Sequence, residues 1–432
     1  MTSSGIAALA IVGAMLCVIC ILLVPLAAVG LALIGTGLGR SRSAAHSMLS
    51  ALMVISVAML VYCICGFAWQ GYSSSPAHVF TLKAHPWNWI ASERWFLRGL
   101  DLNGSSTLLV ALLQMFSVGL VAVVPLGSGA DRWRLGPACI STALLAGFVY
   151  PLFSHWVWGG GWLAQLGTSY GLGRGFLDAA GGSTIQAVSG LSALALAWIL
   201  GPRSGKYSAD GMPAAIPGHN AVLVMIGCLL AWIGWLGLNA AGAMLFASIT
   251  VGRVLLVTIN TTLAAAAAAL AAAVTTRLRF SKPDASLTAN GWIGGLAASS
   301  AVCAFVVPAA AVAIGLVAGV LVVLAIDQLE FRLGIDDPAG SISAHAVAGI
   351  WGILAVALFG HTNTPGQGWA QLIGVATLLG FVLPLAYALN WLLDKFLPQR
   401  VAVEAENQGL DVHELGAEAY PDFLTHTEDL YR

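Results

Sequence analysis

Long apolar runs separated by short polar stretches fill most of the chain. We count eleven, at about 6–36, 45–70, 104–127, 136–158, 182–201, 219–242, 247–275, 286–304, 306–328, 343–361 and 368–397. Each is long enough to cross a hydrocarbon layer of about 30 Å as an α-helix. The pattern predicts an all-α polytopic membrane fold. The first run holds no Lys or Arg before Arg40, and its apolar core is too long for a signal peptide. It reads as a retained span, long or kinked at Pro25.

One segment occurs twice. Residues 178–190 read D-A-A-G-G-S-T-I-Q-A-V-S-G, and residues 337–349 read D-P-A-G-S-I-S-A-H-A-V-A-G. Each copy opens on an Asp, passes through small residues, and places one large polar side chain before A-V-x-G. That side chain is Gln186 in the first copy and His345 in the second. Asp178 and Asp337 read first as helix N-caps, well placed for the helix dipole. Asp178 could also attract a cation to a pore mouth. A polar residue inside a membrane span usually faces a cavity or a partner, which singles out Gln186 and His345.

Charge orients the spans. Alternate loops hold Arg40, Arg42, Arg132, Arg134, Arg203, Lys206, Arg277, Arg279, Lys282 and Arg332, joined by Lys395, Arg400 and Arg432 after the last span. The opposite loops hold only Lys83, Arg94, Arg98 and Arg174, with Arg253 near one edge. The positive-inside rule puts the N-terminus outside and the C-terminus in the cytosol, as an odd span count requires. The two copies then point in opposite directions. Spans one to five and six to ten form an inverted repeat, the eleventh stands outside it, and Gln186 faces His345 near the bilayer midplane.

Composition agrees and excludes other classes. The chain is 59% hydrophobic and 9% charged, against about 25% charged in a soluble protein. Its net charge of −1 offers no nucleic-acid surface. All seven Cys lie in apolar runs and read as small buried hydrophobes. With no nucleotide loop, nucleophile motif or metal cluster, neither an enzyme nor a cofactor is expected. The 50 Gly and the Ala run at 264–273 permit close helix packing. Trp158 lies in H-W-V-W-G-G-G at 155–161. It reads first as an interfacial aromatic, and second as a ring that could hold a cation.

Several elements together resemble the ammonium transporter family (the Amt/Mep/Rh superfamily). They are P-L-A-A-V-G-L-A-L-I-G-T-G-L-G-R at 25–40, A-D-R-W-R-L at 130–135, W-G-G-G at 158–161, D-x-A-G-G at 178–182, H-N at 219–220, G-W-L-G-L-N-A at 234–240, D-D-P at 336–338 with His345, and G-L-D-V-H-E-L-G-A-E-A-Y at 409–420. The resemblance implies a multi-pass protein of the bacterial inner membrane, a homotrimer with one narrow apolar pore per subunit, and ammonium/ammonia as substrate. It implies a membrane domain over 1–399 and a cytosolic tail over 400–432, where a PII-type signalling protein could dock.

The pore residues drift from the family pattern. His345 matches the second of a pore-lining histidine pair, while Gln186 stands at the first and cannot titrate. The family's outer recruitment site combines Trp, Phe and Ser. Trp158 matches the Trp, Leu238 replaces the Phe, and Gly242 replaces the Ser. A second gate Phe falls at Phe116 or Ser117, depending on register, and the second Asp of D-D-P-x-D is Gly340. The expected function is ammonium/ammonia transport with altered proton handling. The alternatives are an ammonium sensor with little transport, or a channel for carbon dioxide or methylamine.

Overall fold

The computed structural model of the chain describes residues 3–72, 75–101, 105–361 and 364–420. Residue 104, where the pattern opens the third span, lies outside them, as do residues 421–432 of the expected tail, including Arg432.

Ten helices among the described residues are long and apolar enough to cross a membrane. In chain order the long elements are α1 (Ile11–Leu38), α2 (Ser41–Gln70), β1 (Ala77–Leu82), β2 (His85–Ala91), α3 (Ser106–Gly129), α4 (Leu135–Trp158), α5 (Gly182–Leu200), α6 (Ala221–Phe246), α7 (Val251–Phe280), α8 (Ala285–Val302), α9 (Pro308–Phe331), α10 (Ile342–Phe359) and α11 (Gln367–Phe396). The exception among these helices is α8, rich in Gly, Ala and Ser. It is buried from Ala289 to Val302 apart from Trp292. A helix surrounded by protein needs little hydropathy of its own, because lipid never touches it.

Local chemistry sets the ends. Ser105, Asn220 and Asp284 cap α3, α6 and α8, each side chain accepting a backbone N–H three residues on. The helix is interrupted at Val24, directly before Pro25 in α1.

Small residues decide the packing. A Cβ on Gly30 would sit 2.5 Å from the Ala231 nitrogen, and one on Gly234 would sit 2.1 Å from the Ala27 nitrogen. Gly37 meets Asn220, while Gly237 meets Cys20. Contacts that advance along α1 retreat along α6, so the two helices run antiparallel. The Ala run of α7 forms a bed for two neighbours. Gly295 and Gly315 approach the Ala264 carbonyl, and Gly319 approaches that of Ala268.

The β1–β2 hairpin, which the apolar pattern did not announce, pairs antiparallel through a turn at Lys83 and Ala84, both with left-handed φ. It is pinned to the end of α4. Asn88 donates to the Gly160 carbonyl, His155 Nε2 meets Asn88 Oδ1, and the Trp156 indole donates to the Trp89 carbonyl. The hairpin marks one face of the molecule and the C-terminal tail marks the other.

Candidate functional site

The centre is built by α5 and α10. Each opens with a wide, π-helical turn, Gly182–Ala187 in one and Ile342–Val347 in the other. Such turns are frequent at functional sites, and each of these carries the singled-out polar residue.

An Asp anchors each turn. Asp178 accepts from the backbone N–H groups of Gly181, Gly182, Ser183 and Thr184 and from the Ser183 hydroxyl. Asp337 accepts from the N–H groups of Ser341 and Ile342 and from the Ser128 hydroxyl. The geometry gives Asp178 a capping role, its oxygens turned toward the backbone. Gly340 has φ 68°, and a Cβ there would lie 2.5 Å from the Asn290 amide. The position favours glycine over the Asp of the family pattern for that steric reason.

The repeated glycines bring the turns together. A Cβ on Gly190 would stand 2.2 Å from the Ala346 nitrogen, and one on Gly349 would stand 2.7 Å from the Gly182 carbonyl. Each repeat's A-V-x-G glycine thus lies against the other repeat's turn. At this crossing His345 Nδ1–H donates to Gln186 Oε1 across 2.8 Å. Gln186 is fully buried and His345 nearly so. An imidazole donating at Nδ1 keeps a lone pair at Nε2. Gln186 Nε2 is a buried donor without a partner among the described residues. The Trp235 ring lies 6.3 Å from the imidazole, held by its N–H on the Ser300 hydroxyl.

A cavity of about 20 Å³ begins at His345 and runs between Leu31, Val123, Val124, Ile293 and Asn290. That volume suits about one water-sized molecule. Asn290 also lines a larger recess of about 540 Å³ on the tail face, beside Asp336 and Asp337.

On the hairpin face, the Trp158 indole N–H donates to the Asp178 carbonyl across 2.9 Å. Leu238 is buried, and Gly242 packs on Ala180, where a Cβ would lie 2.8 Å from the Ala180 Cα. Phe116 is half-buried on α3, whereas Ser117 is fully buried, its hydroxyl on the Leu113 carbonyl. The ring that lies on Trp158 is Phe246, with centroids 4.0 Å apart and planes 5° from parallel. The sequence pattern ends the sixth span at 242, so Phe246 fell outside it; its spacing from Leu238 and Gly242 was the available signal. The glycines after Trp158 serve other neighbours. Gly159 fits against His155 and Gln70, and Gly161 against Trp156.

The chain matches the profile of the Ammonium Transporter Family over residues 15–420. It belongs to that family. It is 35% identical to the ammonium transporter Amt2 of Archaeoglobus fulgidus, over 95% of this chain and 88% of the relative. It is 30% identical to an ammonium transporter of Bacillus subtilis, over 94% and 97%. A solved structure described as "Sensor Amt Protein" superposes with a TM-score of 0.85 at 29% identity, covering 93% of this chain and 98% of that one. The protein is therefore a multi-pass membrane protein of the ammonium transporter family.

The family motifs on the tail face form an ion network. Arg203 holds both Asp336 oxygens and one of Asp131, and the fully buried Arg132 donates to the Gly201 and Asp336 carbonyls. Burial alone would raise the Asp336 carboxyl, but hydrogen bonds and charge from Arg203, with the charge of Arg132, hold it below its ordinary range. The tail docks here through its acids. Asp411 accepts from the N–H groups of Ala45 and His46 at the start of α2. Glu414 accepts from the Leu135 N–H at the start of α4 and meets His46 Nε2 across 2.9 Å. Glu406 accepts from the Ser204 N–H and pairs with Arg400.

Proposed function

We propose that this chain carries ammonium/ammonia across the membrane through the passage at Gln186 and His345. The observation that supports this most is that pair itself. Two antiparallel turns meet at reciprocal glycines and leave one acceptor on His345 and one unpartnered donor on Gln186, and a water-sized cavity begins at His345. Ammonia, which both donates and accepts hydrogen bonds, suits that pairing. A bare ammonium ion does not suit an apolar passage, because burying its charge without a partner costs many kcal/mol.

In this reading the ten apolar helices and α8 make eleven spans, with the N-terminus outside and the C-terminus cytosolic. The hairpin face is then the outer face. Residues 1–399 conduct, and 400–432 form a cytosolic tail open to a PII-type partner. The protein works as a homotrimer in the bacterial inner membrane. Gln186 and His345 line the pore, while Trp158, with Leu238 and Gly242 beneath it, forms the outer mouth. Asp178 supports that mouth by ordering the turn behind Trp158. Ser117 rather than Phe116 takes the second gate position, because Ser117 is the inward residue of α3.

Purified protein in liposomes, pulsed with ammonium on a solid-supported membrane, tests the reading. Sustained current means that net charge crosses. Lumen alkalinisation without current means neutral ammonia crosses. Neither signal in active liposomes rejects transport.

The second reading is ammonium sensing with little flux. The docked tail and the likeness to a sensor Amt protein favour it. Ammonium-dependent capture of a PII-type protein without flux is its signature.

A further inference from the structure

Leu238, Gly242 and Phe246 are spaced four residues apart on α6, so they share one face. That face lies on the segment that precedes the first pore turn, because Gly242 sits directly against Ala180. The same segment receives the Trp158 indole N–H at the Asp178 carbonyl. Phe246, the last residue of α6, then lies flat on Trp158. Trp158 is only 8% exposed although it ends α4.

A ring 4.0 Å away is in van der Waals contact and leaves no space for a cation between the planes. The face of Trp158 toward Phe246 is thus covered. Ring stacking and a cation on a desolvated indole are attractions of similar size, so the one can give way to the other. Phe246 is placed to move. It is half-buried at a helix end, and two residues on Ser248 holds a left-handed φ of 52° without being glycine.

We propose that Phe246 is a displaceable cover on Trp158 that replaces the aromatic ring missing at Leu238 and selects cations by size. The proposal rests on reading Trp158 as the outer mouth of the pore. A small cation displaces the phenyl ring and takes its place on the indole. A bulkier alkylated cation must move the ring further and is disfavoured.

Liposome fluxes of ammonium and methylammonium, for wild type, Phe246→Ala, Phe246→Leu and Phe246→Tyr, test this. Removing the ring in the Ala or Leu variant raises the methylammonium-to-ammonium flux ratio roughly fivefold. The Tyr variant keeps the wild-type ratio. The Leu variant retains bulk, so it carries the test if the Ala variant fails to fold. An unchanged or lowered ratio in a folded Ala or Leu variant, with wild type transporting, overturns the cover. Methylammonium-induced stabilisation of purified protein, read as the shift of its unfolding midpoint, needs no transport. That shift is larger in Phe246→Ala than in wild type and disappears in Trp158→Leu. An equal or smaller shift in Phe246→Ala overturns the proposal. Absence of wild-type flux rejects the transport reading alone and leaves this shift to decide.

Discussion

His345 donates its Nδ1 proton to Gln186 Oε1 across 2.8 Å, joining positions 159 residues apart in the chain. Two histidines in this geometry could pass a proton between them. An amide cannot accept that proton at any ordinary pH, so the bond fixes the imidazole tautomer instead. Replacing Gln186→His restores a titratable partner, and we expect ammonium-driven current to rise severalfold over wild type. Equal currents from the two proteins at equal reconstitution would refute the idea that the amide interrupts a proton relay.

The reciprocal glycines are expected to tolerate little. A methyl on Gly190 would press on the Ala346 backbone at 2.2 Å, and one on Gly349 on the Gly182 carbonyl at 2.7 Å. Overpacking costs about 1–3 kcal/mol, more where backbone must move. Gly190→Ala should therefore lower the unfolding midpoint more than Gly349→Ala does. Thermal unfolding followed by tryptophan fluorescence ranks them, and wild-type midpoints in both variants would reject the crossing as the tight point.

The two capping carboxylates differ in workload. Asp178 receives four N–H groups and a hydroxyl, while Asp337 receives two N–H groups and a hydroxyl. Loss of a cap costs about 1 kcal/mol, and each buried donor left bare adds about 1–3 kcal/mol. Asp178→Ala should cost at least about 2 kcal/mol and more than Asp337→Ala. Denaturation in the same detergent compares them; the reverse order would show that the hydrogen-bond inventory does not set their contribution.

Tail docking should depend on pH in a defined direction. Burial by itself raises the Glu414 carboxyl, but the His46 hydrogen bond, the Leu135 N–H, and the charges of His46 and Arg134 bring it below its ordinary value of 4.5. A carboxyl lowered in the folded state stabilises docking above its unfolded pKa, and that support fades as pH falls through the lower, folded value. Proteolysis of the tail should stay slow from neutral pH down to about 5 and accelerate only below the ordinary Glu value. Glu414→Gln should expose the tail at neutral pH and flatten the acid dependence. Rapid cleavage of wild type already at neutral pH would contradict the docked arrangement.

The legibility of this molecule follows its length scales. Helix positions were readable because burial in lipid demands about 20 apolar residues in a row. Even α8, too rich in small residues to look apolar, was placed to within a few residues. Gln186 and His345 were readable because the segment is duplicated, and duplication aligns equivalent positions without any structure. The break at Pro25 and the capping roles of the two Asp residues followed from local backbone chemistry.

What the tertiary structure alone decided lies at contacts between distant segments. The sequence named Gln186 and His345 but not which atoms meet. The bond between Nδ1 and Oε1 exists because Gly190 and Gly349 remove side chains where backbones cross. Periodicity could not say which of Phe116 and Ser117 is buried, since adjacent helical residues differ by about 100°; packing shows that Ser117 is buried and Phe116 half-buried. Phe246 was hidden by a four-residue error at the end of α6, where an apolar run gives no stop signal. The packing of the hairpin on the end of α4, the buried Arg132–Asp336–Arg203–Asp131 network and the docking of Glu406, Asp411 and Glu414 join residues far apart in the chain. A linear pattern encodes burial and local conformation; the partner of each polar group is fixed only when the folded chain removes water from both.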